Sequence, residues 1–229
     1  FGLKWDFIII HESGHEWFGN NITTQDIADM WVHEGFTNYS ETLFTECKSG
    51  LQGAEAYVQG IRRNIRNDIP IIGPYGVNKE GSGDMYYKGS NMIHTLRTMM
   101  QNDEHFRQML RKLGQTFYHQ TVTTRQVEAF LEKESGLGTW MPAFFNQYLR
   151  TTQIPVLQWK IGAGGITLNW ANTVPGFAMK VYVPATATSG KWIEVGDKPV
   201  TLPSKLSAAE IAGLWNRNLY IEYSQKLEE

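Results

Sequence analysis

HESGH at residues 11–15 is the stretch that decides the fold, and Glu34 follows it on the next predicted helix. Successive residues of an α-helix turn by about 100°, so His11 and His15 lie one turn apart on the same face and can reach one ion. Two histidines and a carboxylate are the ligand set of a catalytic zinc site with one open coordination position. Glu12 lies beside the pair, where a general base for a metal-activated water belongs. The sequence therefore predicts one zinc ion per chain, held by His11, His15 and Glu34.

The alternative explanation is a surface helix that carries two unrelated histidines. The chain has 6 histidines in 229 residues. With the frequencies of histidine and glutamate in this sequence, about one chain in a hundred of this length would match the motif by accident. A correctly placed third ligand makes coincidence rarer still, so the metal interpretation is favoured.

The residues around these ligands resemble the zinc aminopeptidases related to aminopeptidase N and leukotriene hydrolase, the gluzincin metallopeptidases. That family places HExxH and then, after a spacer of the length of residues 16–33, a glutamate inside a W-x-x-E-G-F phrase. Residues 31–36 match this phrase as WVHEGF. A further family phrase, Y-x-K-G, is present as YYKG at residues 86–89. The resemblance assigns the family's transition-state tyrosine to Tyr86, the first residue of that phrase, and not to Tyr87.

The resemblance implies a zinc-dependent metallopeptidase, with an aminopeptidase that removes N-terminal residues from peptides as the leading interpretation. In such a reaction Glu12 is the general base for the zinc-activated water, and the hydroxyl of Tyr86 stabilises the oxyanion. A zinc endopeptidase and a peptidase with epoxide-hydrolase activity are alternatives. An alternative of another class is a catalytically inactive binding or scaffold fragment, against which the intact Glu12 and Tyr86 argue.

Two features depart from the family pattern. Gly14 and Glu16 stand where Ala and Gln are common, and Gly14 should cost the helix about 1 kcal/mol against Ala. The family's G-x-M-E-N segment, whose glutamate holds the substrate amine, does not precede residue 11. We therefore expect a fragment that lacks a sheet lobe and has little aminopeptidase activity of its own. Apolar surface on its zinc helix would then support self-association.

Composition is typical of a soluble globular protein, with 41% hydrophobic and 19% charged residues. The net charge is −2 and lysine and arginine do not cluster, which argues against nucleic acid or anionic membranes as partners. No stretch approaches the roughly 18 apolar residues of a membrane span. Cys47 is the single cysteine, so no intrachain disulfide can form. The compartment stays open between cytoplasm and periplasm or secretion.

The hydrophobic period changes from 3.6 to 2 near residue 155. Before this point the pattern predicts helices at 6–19, 26–48, 53–66, 84–100, 103–117, 124–134 and 140–149. After it, alternation and turn residues predict strands at 157–161, 166–170, 178–183, 191–195, 199–202 and 219–223. The predicted fold is α+β and multidomain. A helical, thermolysin-like catalytic subdomain at residues 1–151 is followed by a small β-sandwich at residues 152–229.

Three further side chains near the predicted ligands or in the strand region have two interpretations. Glu41 lies on the same helix face as Glu34, where it can accept the outer N–H of a ligand histidine or stay a solvated carboxylate. His33 is expected to point elsewhere, because neighbours on a helix diverge by about 100°. The tryptophans after residue 155 are expected in the sandwich core rather than in a carbohydrate-binding platform.

Overall fold

The computed structural model describes residues 5–225, in which helices precede strands. The α-helices are α1 Phe7–Gly14, α2 Trp31–Gly60, α3 Asp84–Met100, α4 Asp103–Thr116, α5 Thr124–Ser135, α6 Met141–Arg150 and α7 Ala208–Leu214. The strands are β1 Ile22–Thr24, β2 Gln120–Val122, β3 Val156–Gly162, β4 Gly165–Ala171, β5 Met179–Pro184, β6 Gly190–Val195, β7 Val200–Leu202 and β8 Glu222–Gln225. The presence of both helices and strands confirms the predicted α+β class.

The helix that carries HESGH is shorter than predicted. It begins after Asp6, whose side chain accepts a hydrogen bond from the N–H of Ile8, and it ends at Gly14 instead of residue 19. His15 is the C-cap and keeps right-handed helical angles, with φ −62° and ψ −17°. The one-turn relation between His11 and His15 therefore survives the early end of the helix.

The second and third predicted helices form one element with a break. α2 begins at Trp31, after a short 3-10 turn at Ile27–Asp29, and it runs through to Gly60. At Gly50 the backbone has φ 73° and ψ 178°, so the helical path is interrupted there. The prediction that a helix ends at Gly50 was wrong. The helix kinks there instead, because glycine tolerates such angles inside a longer helix.

The core of the helical region lies where α2 and α3 pack against each other. Trp31, Phe36 and Tyr39 of α2 are buried, as are Met92 and Leu96 of α3. The later helices α4 and α6 pack beside α3, and α5 packs against both of them. A parallel pair of β1 and β2, with Ile22 opposite Gln120, was not predicted, because three-residue strands are too short for a visible alternation.

The strands after residue 155 form a four-stranded sheet in the order β7-β4-β3-β8 and a two-stranded sheet of β5 and β6. The predicted hairpin is present as β3 and β4. The last predicted strand was placed too early, because it is β8 at Glu222–Gln225. Helix α7 was missed, although Ser207 and Glu210 form a capping box at its start. Trp159, Trp170 and Trp215 are buried, as expected of core residues.

The strand region is held to the helices by buried hydrogen bonds. The hydroxyl of Tyr148 on α6 donates to the carbonyl of Tyr220 at 2.8 Å. The N–H of Tyr220 donates to the hydroxyl of Thr95 on α3 at 2.9 Å. The strands thus brace the helices that carry the candidate site. None of the helices between residues 5 and 225 is long and apolar enough to cross a membrane.

Candidate metal centre

Helices α1 and α2 bring the three predicted ligands together. The Oε2 atom of Glu34 lies 3.2 Å from Nε2 of His11 and 3.5 Å from Nε2 of His15. Their candidate ligand atoms all lie within 4.8 Å of one another. Ligands at zinc bond lengths in a tetrahedral arrangement lie roughly 3.3 Å apart, so these spacings fit one zinc ion.

The outer nitrogen of each histidine ring is held by a separate partner. Nδ1 of His11 lies 2.8 Å from Oε1 of Glu41. Nδ1 of His15 lies 3.0 Å from the carbonyl oxygen of Phe18. Since carboxylate and carbonyl oxygens only accept, both rings carry their proton on Nδ1 and present Nε2 towards Glu34. Metal-binding histidines are usually oriented in this way.

The electrostatics of the site favour a cation. Glu34 and Glu41 are buried, with exposed fractions of 6% and 1%. Burial alone would lower the pKa of His11, but its hydrogen bonds to Glu34 and Glu41 outweigh burial and raise the pKa to about 9. Two carboxylates that attract a proton this strongly onto a buried imidazole also attract a metal ion.

Tyr86 lies in the first turn of α3, beside the ligands. Its ring centroid is 5.8 Å from that of His11. Burial, and then the negative charges of Glu34, Glu80 and Glu12, raise the pKa of Tyr86 to about 12. The hydroxyl therefore keeps its proton at neutral pH and can donate a hydrogen bond.

The remaining predicted residues differ in exposure. Glu12 is exposed to solvent, directly after the buried ligand His11. Tyr87 lies next to Tyr86, with ring centroids 6.3 Å apart. His33 points away from the ligands, as predicted, because its Nε2 accepts a hydrogen bond from the N–H of Thr24 at 2.9 Å.

A cavity of about 610 Å³ opens next to the ligands. His11 and Tyr86 lie on its wall. Phe7 and Ile8 of α1 and Tyr57 of α2 contribute apolar and aromatic surface. The ligand cluster therefore borders a space large enough for a side chain or a short peptide segment.

The model of the peptidase family M1 domain matches residues 4–148, which include all the predicted ligands. The chain belongs to peptidase family M1. Family membership and the donor set together imply zinc as the resident ion.

Several curated M1 proteins are similar to this chain. Aminopeptidase M1 of Arabidopsis thaliana is 25% identical over 223 residues, which are 90% of this chain and 24% of that protein. Aminopeptidase B of Rattus norvegicus is 28% identical over 170 residues, covering 65% of this chain and 26% of that protein. Leukotriene A-4 hydrolase of Xenopus laevis is 27% identical over 137 residues, covering 54% and 22%. The chain thus spans about a quarter of the length of these relatives.

Solved structures show the same fold. An M1 zinc metallopeptidase from Deinococcus radiodurans has a TM-score of 0.54 and 23% identity, covering 66% of this chain and 34% of that one. A mutant of that enzyme bound to a Tyr-Ser-Ala substrate has a TM-score of 0.53, with 64% and 33% covered. At this identity the likeness concerns the fold alone.

Close helix packing explains the glycines of two M1 phrases, W-x-x-E-G-F and Y-x-K-G. A Cβ atom built on Gly89 of the Y-x-K-G phrase would lie 3.2 Å from the Cα atom of Gly35. A Cβ on Gly35, which follows the ligand Glu34, would lie 3.2 Å from the carbonyl oxygen of Met85. The phrases therefore meet at the crossing of α2 and α3, and this contact places Tyr86 beside Glu34.

The lysine of the Y-x-K-G phrase has a structural role that the sequence did not reveal. Lys88 is buried, with 1% exposed, and its Nζ donates to the carbonyl oxygen of Thr151 at 2.9 Å. Thr151 is the C-cap of α6, where unpaired carbonyl groups attract a donor. Lys88 thereby joins α3 to the end of α6.

Gly14 also has a packing reason. A Cβ atom there would lie 3.1 Å from Cγ2 of Thr37 on α2. Gly14 lowers the helix propensity of α1, but it allows α1 and α2 to approach closely. This approach brings His15 near Glu34.

Proposed function

We propose that this chain is the zinc-binding part of an aminopeptidase that hydrolyses N-terminal residues from peptides. The observation that carries the proposal is the cluster of His11, His15 and Glu34, with Glu12 and Tyr86 beside it. When bound, zinc supplies a Lewis acid that polarises the scissile carbonyl and makes water more acidic. The other steps fall to side chains of this chain.

Glu12 and Tyr86 have complementary roles in this proposal. The exposed carboxylate of Glu12 takes a proton from the attacking water and passes it to the leaving amine. Tyr86, whose raised pKa keeps its hydroxyl protonated, donates a hydrogen bond to the oxyanion that forms on the carbonyl. The names of several relatives, aminopeptidase M1 and aminopeptidase B among them, favour an exopeptidase over an endopeptidase.

We also propose that the parts of the chain before and after a boundary at residues 151–152 have different roles. All the candidate ligands and both catalytic candidates precede this boundary. The region after it supplies two sheets that brace the helices. In this arrangement the strand region contributes to stability and no group to the chemistry.

The test compares Glu12→Gln with Glu16→Gln, which changes an exposed glutamate in the turn directly after α1 that accepts from the side chain of Asn20. Zinc content is measured together with hydrolysis of an amino-acid amide of a fluorophore. The assay uses the 229-residue chain and the full-length gene product. We expect stoichiometric zinc in both variants. In whichever protein is active, Glu12→Gln should lower kcat by about 10²–10⁴-fold and Glu16→Gln should leave it unchanged.

Four results would contradict different parts of the proposal. A normal rate in zinc-loaded Glu12→Gln would show that Glu12 is not the base. Cleavage of N-blocked peptides without hydrolysis of the amide would indicate an endopeptidase. A zinc-loaded, full-length protein that cleaves neither substrate would support the inactive scaffold. Equal kcat/KM in the two chain lengths would show that the 229 residues already form the whole substrate site.

Self-association through α1 is a further part of the proposal. Phe7, Ile8 and Ile9 have exposed fractions of 46%, 44% and 61%, which is unusual for adjacent apolar residues of one helix. Ile9→Glu should shift the protein towards the monomer in sedimentation experiments. Val77→Glu, at an equally exposed site in the loop before α3, should not. If the wild type, Ile9→Glu and Val77→Glu had the same oligomeric state, self-association through this surface would be ruled out.

A further inference from the structure

The carboxylate of Glu41 is surrounded by donors. Its Oε1 lies 2.8 Å from Nδ1 of His11 and 3.0 Å from Nδ2 of Asn38. Its Oε2 accepts from the hydroxyl of Tyr57. Glu41 is 1% exposed, so these contacts replace water around a buried charge. Tyr57 is the sole protein donor to Oε2 within residues 5–225.

Tyr57 reaches Glu41 because α2 is broken. The two residues are 16 positions apart, which along a straight helix is about 24 Å. The left-handed φ at Gly50 turns the second part of α2 back towards the first. The ring of Trp5 packs against both parts of α2, since its centroid is 5.0 Å from that of Phe44 and 5.9 Å from that of Tyr57.

We propose that Tyr57 is a positioning residue of the metal centre, which acts through Glu41 on the ring of His11. The inference rests on the zinc site of the proposed function and adds a residue to it. Asn38 fixes one oxygen of Glu41 and Tyr57 fixes the other, so the plane of the carboxylate cannot rotate. With that plane fixed, the bond to Nδ1 holds the Nε2 atom of His11 on the metal.

The two histidines differ in this respect. His15 is oriented by the backbone carbonyl of Phe18 and approached by the hydroxyl of Thr37 at 3.3 Å. Neither group forms a hydrogen bond to the side chain of Glu41 or Tyr57 in the part of the chain that the structure describes. Loss of the Tyr57 hydroxyl should therefore loosen one ligand of three and weaken the site without abolishing it.

The experiment compares Tyr57→Phe with Tyr87→Phe. Both rings line the same cavity, and the Tyr87 hydroxyl makes no side-chain hydrogen bond within residues 5–225. The zinc Kd is measured by competition with a chelator, and the visible spectrum of the cobalt-loaded protein reports ligand geometry. We expect Tyr57→Phe to raise the zinc Kd by about 10–100-fold and to shift the cobalt bands. Tyr87→Phe should change neither.

A double-mutant cycle separates a role through Glu41 from a general effect on folding. In a Glu41→Gln background, Tyr57→Phe should have little further effect on the zinc Kd, because the two residues act in series. Additive effects would overturn the proposal, as would a zinc Kd and a cobalt spectrum of Tyr57→Phe that match the wild type. If Tyr57→Phe does not fold, Glu41→Gln alone must raise the zinc Kd and shift the cobalt bands, or the proposal fails.

These readouts do not depend on turnover. A wild-type protein that binds zinc tightly but hydrolyses nothing would contradict the proposed function and leave the role of Tyr57 intact. A wild-type protein that binds no zinc would overturn both.

Discussion

The two sides of the metal centre are built differently. On the side of α2 and α3, Glu34, Glu41 and Lys88 are buried, and two glycine backbones touch where the helices cross. On the side of α1, only His11 and Gly14 are buried within Phe7–Gly14. One side of the site is thus enclosed by protein, and the other is open.

The contrast follows from what each side has to do. Buried carboxylates are stable only when donors or cations surround them, so the ligand side needs dense and specific packing. A general base has to meet a water and a substrate, and the exposure of Glu12 fits the role proposed for it. A ligand histidine such as His11 connects the two sides, because it is buried among carboxylates and also lies on the cavity wall.

The largest effect should come from removing His11, the candidate ligand that connects the two sides. His11→Ala should lower the zinc content from one ion per chain to near zero, because two of the three protein ligands cannot close the site. The matched change His33→Ala removes a histidine that neighbours Glu34 in sequence but bonds to Thr24. It should keep full zinc occupancy in metal analysis. Equal zinc content in the two variants would mean that the ion binds elsewhere.

Next in size is the loss of the hydroxyl of Tyr86, which lines the cavity beside the candidate ligands. Tyr86→Phe should lower kcat by about 10²–10³-fold with little change in KM, because the hydrogen bond is made to the transition state. Tyr87→Phe should be nearly silent. Steady-state kinetics on the full-length protein tests this, and the reverse ranking would assign the role to Tyr87.

A smaller effect should come from the glycine contact on the enclosed side. Gly89→Ala presses a methyl group against the Cα atom of Gly35, and such overpacking costs about 1–3 kcal/mol. The gain in helix propensity is about 1 kcal/mol, so the free energy of unfolding should fall by about 1 kcal/mol. Gly213→Ala in α7 meets no atom within 4 Å and should raise stability instead. Urea denaturation measures both, and equal signs would contradict the packing argument.

The last effect is a change of stability with pH and concerns Lys88. Burial lowers the pKa of Lys88 from 10.5 to about 8, although Asp84 opposes the shift. Between these values the unfolded chain binds more protons than the folded one. The free energy of unfolding therefore rises with pH across this window. The difference in free energy of unfolding between the wild type and Lys88→Met, measured by urea denaturation from pH 7 to 10, should show this rise, because the raised pKa of His11 gives the opposite slope in both proteins. The exposed control Lys133→Met should keep the wild-type slope, and an unchanged slope in Lys88→Met would place the titration elsewhere.

Local patterns predicted the cluster of His11, His15 and Glu34 and much of the helical region. The spacing of His11 and His15 depends only on the helical turn, which is why both face Glu34 even though α1 ends early. The period of two after residue 155 predicted the hairpin of β3 and β4. Helix ends were predicted less well. Residues 15–19 and 26–30 carry helical patterns, but the structure has turns there and a short 3-10 helix at Ile27–Asp29.

Other features arise from contacts between residues far apart in the chain. The parallel pairing of β1 with β2 joins residues 22–24 to residues 120–122 and leaves no periodic signal in either segment. Glu41 was left between two interpretations, and only its contacts with His11, Asn38 and Tyr57 show that it is a buried acceptor.

The sequence by itself determined which groups can bind the metal, because ligand chemistry and the one-turn spacing of a helix are local properties. Tertiary structure alone decided what holds those groups in place. Gly50 is equally suited to end a helix or to bend one, and packing selected the bend that carries Tyr57 to Glu41. Gly35 and Gly89 have no side chain from which a contact could be predicted. Their role is visible only in the tertiary structure, where the two backbones meet.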